Sequence, residues 1–135
     1  MNEALKEALN EKIQEGEFDI VDIPSYLELF AQMGNEVEDL QEEVEDWNRH
    51  VLFKLDGLGS YWLSVENGRF SSGEGEKEDA NLTLLMHAQE AAMVFAGDKD
   101  AKAAYMSGSL KIEGDLPDAI KIQTLIEIVG EEIEY

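Results

Sequence analysis

The chain has 135 residues, 44% of them hydrophobic and 8% aromatic, with 31 acidic side chains against 10 basic ones and a formal charge of -21. That length suits one ordinary domain, which buries roughly 68% of the surface its unfolded chain exposes, and the composition is too apolar for a disordered chain. The acidity argues against nucleic acid and anionic membrane as partners, since both attract clustered Lys and Arg; it accords with solubility, a salty cytoplasm or an acidic docking face.

Cysteine is absent, which excludes disulfides, thiolate catalysis and thiolate metal sites. The start, Met1-Asn2-Glu3-Ala4-Leu5-Lys6, lacks the basic flank and apolar run of a signal peptide. No stretch approaches the ~18 apolar residues of a membrane span, so a cytoplasmic protein without stable membrane insertion is expected. Residues 1–48 carry fifteen acids against Lys6 and Lys12 alone. Like charges at that density strain an isolated helix, so this region needs tertiary packing or a partner.

Leu5, Ala8, Leu9 and Ile13 fall on one helical face, and Gly16 is a stop signal. The extended link Phe18–Ile23 leads to Pro24, suited to the first turn of a second helix carrying Tyr26, Leu27, Phe30 and Met33 and ending near Gly34-Asn35. Leu40, Val44 and Trp47 predict a third helix with acidic outer faces. The period then changes to two. Val51, Phe53 and Leu55 alternate with Leu52 and Lys54, and after Asp56-Gly57-Leu58-Gly59 the residues Tyr61, Leu63 and Val65 repeat the pattern. Asn67-Gly68 is a strong hairpin signal before a brief strand, Arg69-Phe70-Ser71, and a mobile polar loop, Ser72–Asp79.

Asn81–Met86 predicts a fourth strand with Leu82, Leu84 and Met86 on one face. Helices follow over Gln89–Phe95, ending at Gly97, and over Asp100–Met106. Within Ser107–Gly114, bounded by Gly108 and Gly114, a strand Ser109–Glu113 points Leu110 and Ile112 one way and Lys111 and Glu113 the other. Pro117-Asp118 opens a last helix to about Glu134, with Asp115 as a possible cap. This order implies an α+β domain: a mostly antiparallel five-stranded sheet with helices packed on one face.

Catalytic chemistry finds little foothold. His50 and His87 lie on different elements, and His87 with Glu90 makes only two of the three or four ligands a metal site needs. Paired carboxylates such as Glu42-Glu43 and Glu131-Glu132 sit on polar faces, where nothing raises a pKa. The serines lack a G-x-S-x-G setting, and Gly68, Gly73 and Gly75 precede a loop and strand rather than a helix. No enzyme, cofactor or metal is expected.

The last helix stands out. At ~100° per residue, Ala119, Ile122, Leu125, Ile126, Val129 and Ile133 cover an arc of about 120°, an ordinary core stripe, with Ile120 and Ile128 outside it. These surplus isoleucines face either the N-terminal helices, a dimer mate or a ligand. On the sheet, Phe53, Leu55, Leu63, Val65, Leu82 and Leu84, with Met86, Leu110 and Ile112, can share one face. Met93, Phe95, Tyr105 and Met106 add pliable and aromatic bulk.

The segment Tyr105-Met106-Ser107-Gly108-Ser109-Leu110-Lys111-Ile112-Glu113-Gly114-Asp115-Leu116 resembles the aromatic-Met-x-Gly-x-Leu-Lys-Ile-x-Gly-Asp signature of the sterol carrier protein type 2 family. Ala80-Asn81-Leu82-Thr83-Leu84, with Asn81 where Asp is usual, Phe53-Lys54-Leu55-Asp56-Gly57 and Tyr61-Trp62-Leu63 are similar to further family segments. The resemblance covers roughly residues 24 to 130, leaving 1–23 as an acidic N-terminal helix and link before a domain at 24–135. It implies an apolar tunnel under the C-terminal helix, and binding or transfer of sterols, fatty acyl chains, acyl-CoA or isoprenoids. The tunnel would be lined by Phe53, Leu55, Leu63, Leu82, Leu84 and Met86 from the central strands. Met93, Tyr105, Met106, Leu110 and Ile112 would follow, with Ile122, Leu125, Ile126 and Val129 from the last helix.

Two departures bear on this. The chain ends Glu131-Glu132-Ile133-Glu134-Tyr135 rather than in a peroxisomal address, and its acidic N-terminal helices are unlike a surface for acyl-CoA or anionic membrane. A neutral or cationic amphiphile is the better expectation. The alternative is a homodimerisation or partner-docking module using the same apolar helix.

Overall fold

A computed structural model describes residues 1–134. The Asn2 side chain opens helix α1 (Glu3–Gln14) by accepting a hydrogen bond from the Leu5 amide at 3.1 Å. Leu9 is buried, whereas Leu5 and Ile13 are partly so, and the helix lies on α2 and the C-terminal helix. After a 3₁₀ turn, Ile20–Asp22, the Asp22 carboxylate receives the Lys12 ammonium at 2.7 Å and ties α1 to the start of α2 (Ile23–Glu36).

Helix α2 is central. Ile23, Tyr26, Leu27, Leu29, Phe30 and Met33 are all buried, more than the stripe of a surface helix requires. It packs on the outer hairpin of the sheet, where Gly34 lets the Phe70 ring come so close that a Cβ would stand 2.3 Å from it. The predicted third helix is shorter than expected. It is α3 (Glu38–Glu43), and Val44 and Trp47 are buried from successive turns after it.

The sheet runs β3-β2-β1-β4-β5, from β1 (Arg49–Asp56), β2 (Gly59–Glu66), β3 (Arg69–Glu74), β4 (Leu82–His87) and β5 (Lys111–Glu113). Asn67 at φ +53° and Gly68 at +79° supply the two positive φ values of a tight hairpin. Three pairings are antiparallel, but β4 crosses over to run parallel to β1. Register then aligns one apolar face: Phe53 stands between Tyr61 and Leu84, Leu84 between Phe53 and Ile112. The polar loop is also shorter than predicted, because Ser72-Gly73-Glu74 pair with β2. Beyond them Lys77 lies over the Trp62 ring, 4.7 Å from its centroid.

Helices α4 (Ala88–Phe95), α5 (Ala101–Ser107) and α6 (Leu116–Glu134) complete the chain. Ser107–Gly114 is not one strand. Ser107 ends α5, Gly108 at φ +86° turns the chain, and the Ser109 and Leu110 amides donate to the Ala104 carbonyl, so β5 begins only at Lys111.

One buried group lacks compensation. Tyr26 is sealed among Phe18, Phe30 and Phe95, stacked on the last with centroids 4.5 Å apart. Its hydroxyl finds no hydrogen-bond partner among the described residues, and burial pushes its pKa far above the ordinary value. An unpaired buried hydroxyl costs about 1–3 kcal/mol. Tyr26→Phe is therefore expected to hold or raise stability, by up to about 1 kcal/mol, as read from the urea midpoint.

Candidate functional site

An apolar groove of about 460 Å³ runs between α5 and α6. Its floor is sheet: Phe53 of β1, Leu84 and Met86 of β4 and Ile112 of β5, joined by Leu110. One wall is the face of α5 carrying Ala101, Lys102, Tyr105 and Met106. The other is a face of α6 on which Leu116, Ala119, Ile120, Gln123, Ile126 and Glu127 succeed one another at helical spacing. Val94 at the end of α4 closes the inner end together with Ile126.

The rim is apolar and exposed. Met106 is 75% exposed, Ile120 56% and Leu116 47%, which sets them apart from an otherwise charged surface. Polar groups at the edge are few. Gln123 donates to Asp100 Oδ1 at 3.1 Å and to Glu127 Oε1 at 3.2 Å, linking the N-terminus of α5 to α6. Opposite the groove, Asp118 fastens the first turn of α6: it is buried and accepts from Trp47 Nε1 at 3.0 Å and Arg49 Nε at 2.8 Å.

Of the fifteen residues the sequence pointed to, nine line this groove: Phe53, Leu84, Met86, Tyr105 and Met106, then Leu110, Ile112, Ile122 and Ile126. Leu63, Leu82, Leu125 and Val129 instead lie in the closed core, Leu55 is a core residue that borders a different recess, and Met93 is exposed on α4 outside the groove lining. Ile128, the other surplus isoleucine, packs against the core. Sequence reasoning passed over Val94, Ala101, Lys102, Leu116, Gln123, Thr124 and Glu127 as lining. The signal available was the exposed face of α6, where Ile120 already stood out.

A wider recess of about 570 Å³ opens beside His87, Lys54 and Lys111, where charged side chains, Asp56 and Glu90 among them, mix with Leu55, Leu85 and Met86. His87 meets Asp56 at 3.4 Å, and Glu90 there is taken by Lys99 and Ser109. His50 lies elsewhere, its Nδ1 2.8 Å from Ser64 Oγ and its Nε2 3.6 Å from Asp79. Among the described residues no three His, Asp or Glu side chains gather to hold a metal, and no helix is long and apolar enough to cross a membrane.

Residues 28–127 match the model of the SCP-2 sterol transfer family. Hydroxysteroid dehydrogenase-like protein 2 of Xenopus tropicalis is 32% identical over 89 residues, covering 64% of this chain and 21% of that protein. The chain thus spans about a fifth of the length of the curated relatives it matches. The fold is shared with sterol carrier protein 2 from Yarrowia lipolytica in its apo form, at TM-score 0.62 and 18% identity, covering 80% of this chain and 89% of that one. It is shared equally with the UbiJ-SCP2 ubiquinone synthesis protein, at TM-score 0.61 and 17% identity, covering 82% and 94%.

Proposed function

The chain belongs to the SCP-2 sterol transfer family, whose domains bind and transfer lipids, and from that premise we propose that it holds the alkyl or isoprenoid part of a lipid in the groove between α5 and α6 without chemically changing it. The observation that carries this reading is the groove itself: an apolar floor of sheet residues under two helices, opening through an apolar rim. A recess of that size and lining suits a small hydrophobic guest. Each buried methylene contributes ~0.8 kcal/mol before association costs, so about ten of them suffice for useful affinity.

The expected tunnel is the form this groove takes around a guest, with α6 as its cover. A net charge of -21 favours a neutral or cationic amphiphile over an acyl-CoA. The acidic segment 1–23 is an addition to the lipid-binding domain, which is placed at 24–135 in a cytoplasmic protein that is a carrier rather than a catalyst. In the relatives the matching segment is a fifth of a longer chain, which suits delivery of a hydrophobic molecule to a neighbouring activity.

The test is native mass spectrometry of the purified protein, followed by melting curves with added fatty alcohols. Co-purified lipid, or a melting temperature raised by alcohol and no longer raised in Ile120→Glu, supports the reading. A lipid-free protein indifferent to every alcohol sinks it. If light scattering then gives a dimer that Ile120→Glu dissociates, the rim is a self-association surface instead.

A further inference from the structure

The groove ends at Ile126 and Val94, yet the space does not. On the far side of those two residues lies a second cavity of about 200 Å³, which shares Ile126, Val94 and the exposed Glu127 with the groove and is lined further by Ile13 of α1, Phe95 of α4 and Gly130 and Glu131 of α6. The same face of α6 continues through both: Leu116, Ile120, Gln123 and Glu127 along the groove, Gly130 and Glu134 beyond it. At ~1.5 Å per residue this is a trough of about 27 Å, interrupted at one point. A Cβ at Gly130 would meet nothing within 4 Å, so the far section is open where the helix passes it.

Resting on the proposed lipid-binding role, we infer that Ile126 is the chain-length stop of the groove and that α1 forms the end wall of a reserve section behind it. A linear chain entering through the exposed rim gains about fourfold in affinity for each methylene it buries. That gain ends when the tip reaches the Ile126 and Val94 side chains. Ile13 and Gly130 lie outside residues 28–127, the part of the chain that matches the family model. Ile126 packs at the edge of the core and is only partly buried, whereas Leu125 and Val129 are fully enclosed.

The experiment titrates the full-length protein with straight-chain alcohols from octanol to octadecanol by displacement of a fluorescent alkyl probe. Wild type is expected to tighten with length and then level off. Ile126→Ala is expected to level off at a longer alcohol and to bind octadecanol about tenfold more tightly than wild type does. Ile126→Val, the milder change should Ile126→Ala fail to fold, moves the limit in the same direction. Adding Gly130→Leu to Ile126→Ala fills the reserve section and should restore the wild-type limit. An unchanged limit in folded Ile126 variants overturns the stop while leaving the groove as the binding site. Failure of every alcohol to displace the probe from any of the proteins overturns the binding reading and the stop together.

Discussion

Gly114→Ala is expected to lower stability by about 2–4 kcal/mol, enough to shift the urea midpoint well clear of error. Gly114 sits at φ +131°, where a side chain is strained, and its Cβ would stand 2.7 Å from the Asn81 carbonyl oxygen and 3.2 Å from Leu82 Cα. Both obstacles are backbone, so no rotamer change relieves them. Strand β5 must move away from β4, with which it pairs at Leu84–Ile112. Ile112 is part of the groove floor, so alcohol binding should weaken along with stability. Gly108→Ala is the control: φ is +86°, but nothing lies within 4 Å of the added atom, and the cost should stay near ~1 kcal/mol. If the two changes cost the same, close packing at Gly114 is not what the glycine serves.

The same pair of glycines marks how far the sequence could be read. Both were visible as chain corners, and both have positive φ. What lay between them was not one strand, because the Ser109 and Leu110 amides are taken by the Ala104 carbonyl at the end of α5. Alternation of Leu110 and Ile112 cannot reveal that competition. It reports which side chains share a direction, and both do face the groove. Val44 and Trp47 carried a helical spacing into turns for a related reason: i to i+3 bonds after α3 keep roughly the same side chains inward.

The apolar face of β1, β2 and β4 was legible, but which part of it stays open was not. Leu63 and Leu82 alternate just as Leu84 and Ile112 do, yet they are fully buried in the core, whereas the groove opens only over the edge between α5 and α6. That difference depends on where helices cross strands, including the parallel placement of β4 beside β1. It is a long-range choice that local periodicity does not carry. Ile120 was the exception, since an apolar residue off the core stripe of a helix already signals a second neighbour.

Asp118→Ala should cost about 2–4 kcal/mol and loosen the groove wall with it. The carboxylate accepts from the Trp47 indole and the Arg49 guanidinium, and Trp47 is itself 8% exposed, so truncation leaves a buried N–H without a partner. Arg49 is more open, with a third of its side chain exposed, and water compensates part of its loss. Asp118→Asn separates the two contributions: its amide oxygen still serves Trp47, and the expected loss falls to about 1–2 kcal/mol. By contrast, Glu43→Gln removes the more exposed pair with Lys121, one turn further along α6, for at most about 1 kcal/mol. The Asp118 turn presents Ala119 and Ile120 to the groove on its other side, so stability and binding are coupled through one rigid turn. Stopped-flow release of a bound alkyl probe should therefore be faster in Asp118→Asn than in Glu43→Gln. Equal release rates would mean that the cover of the groove moves independently of this anchor.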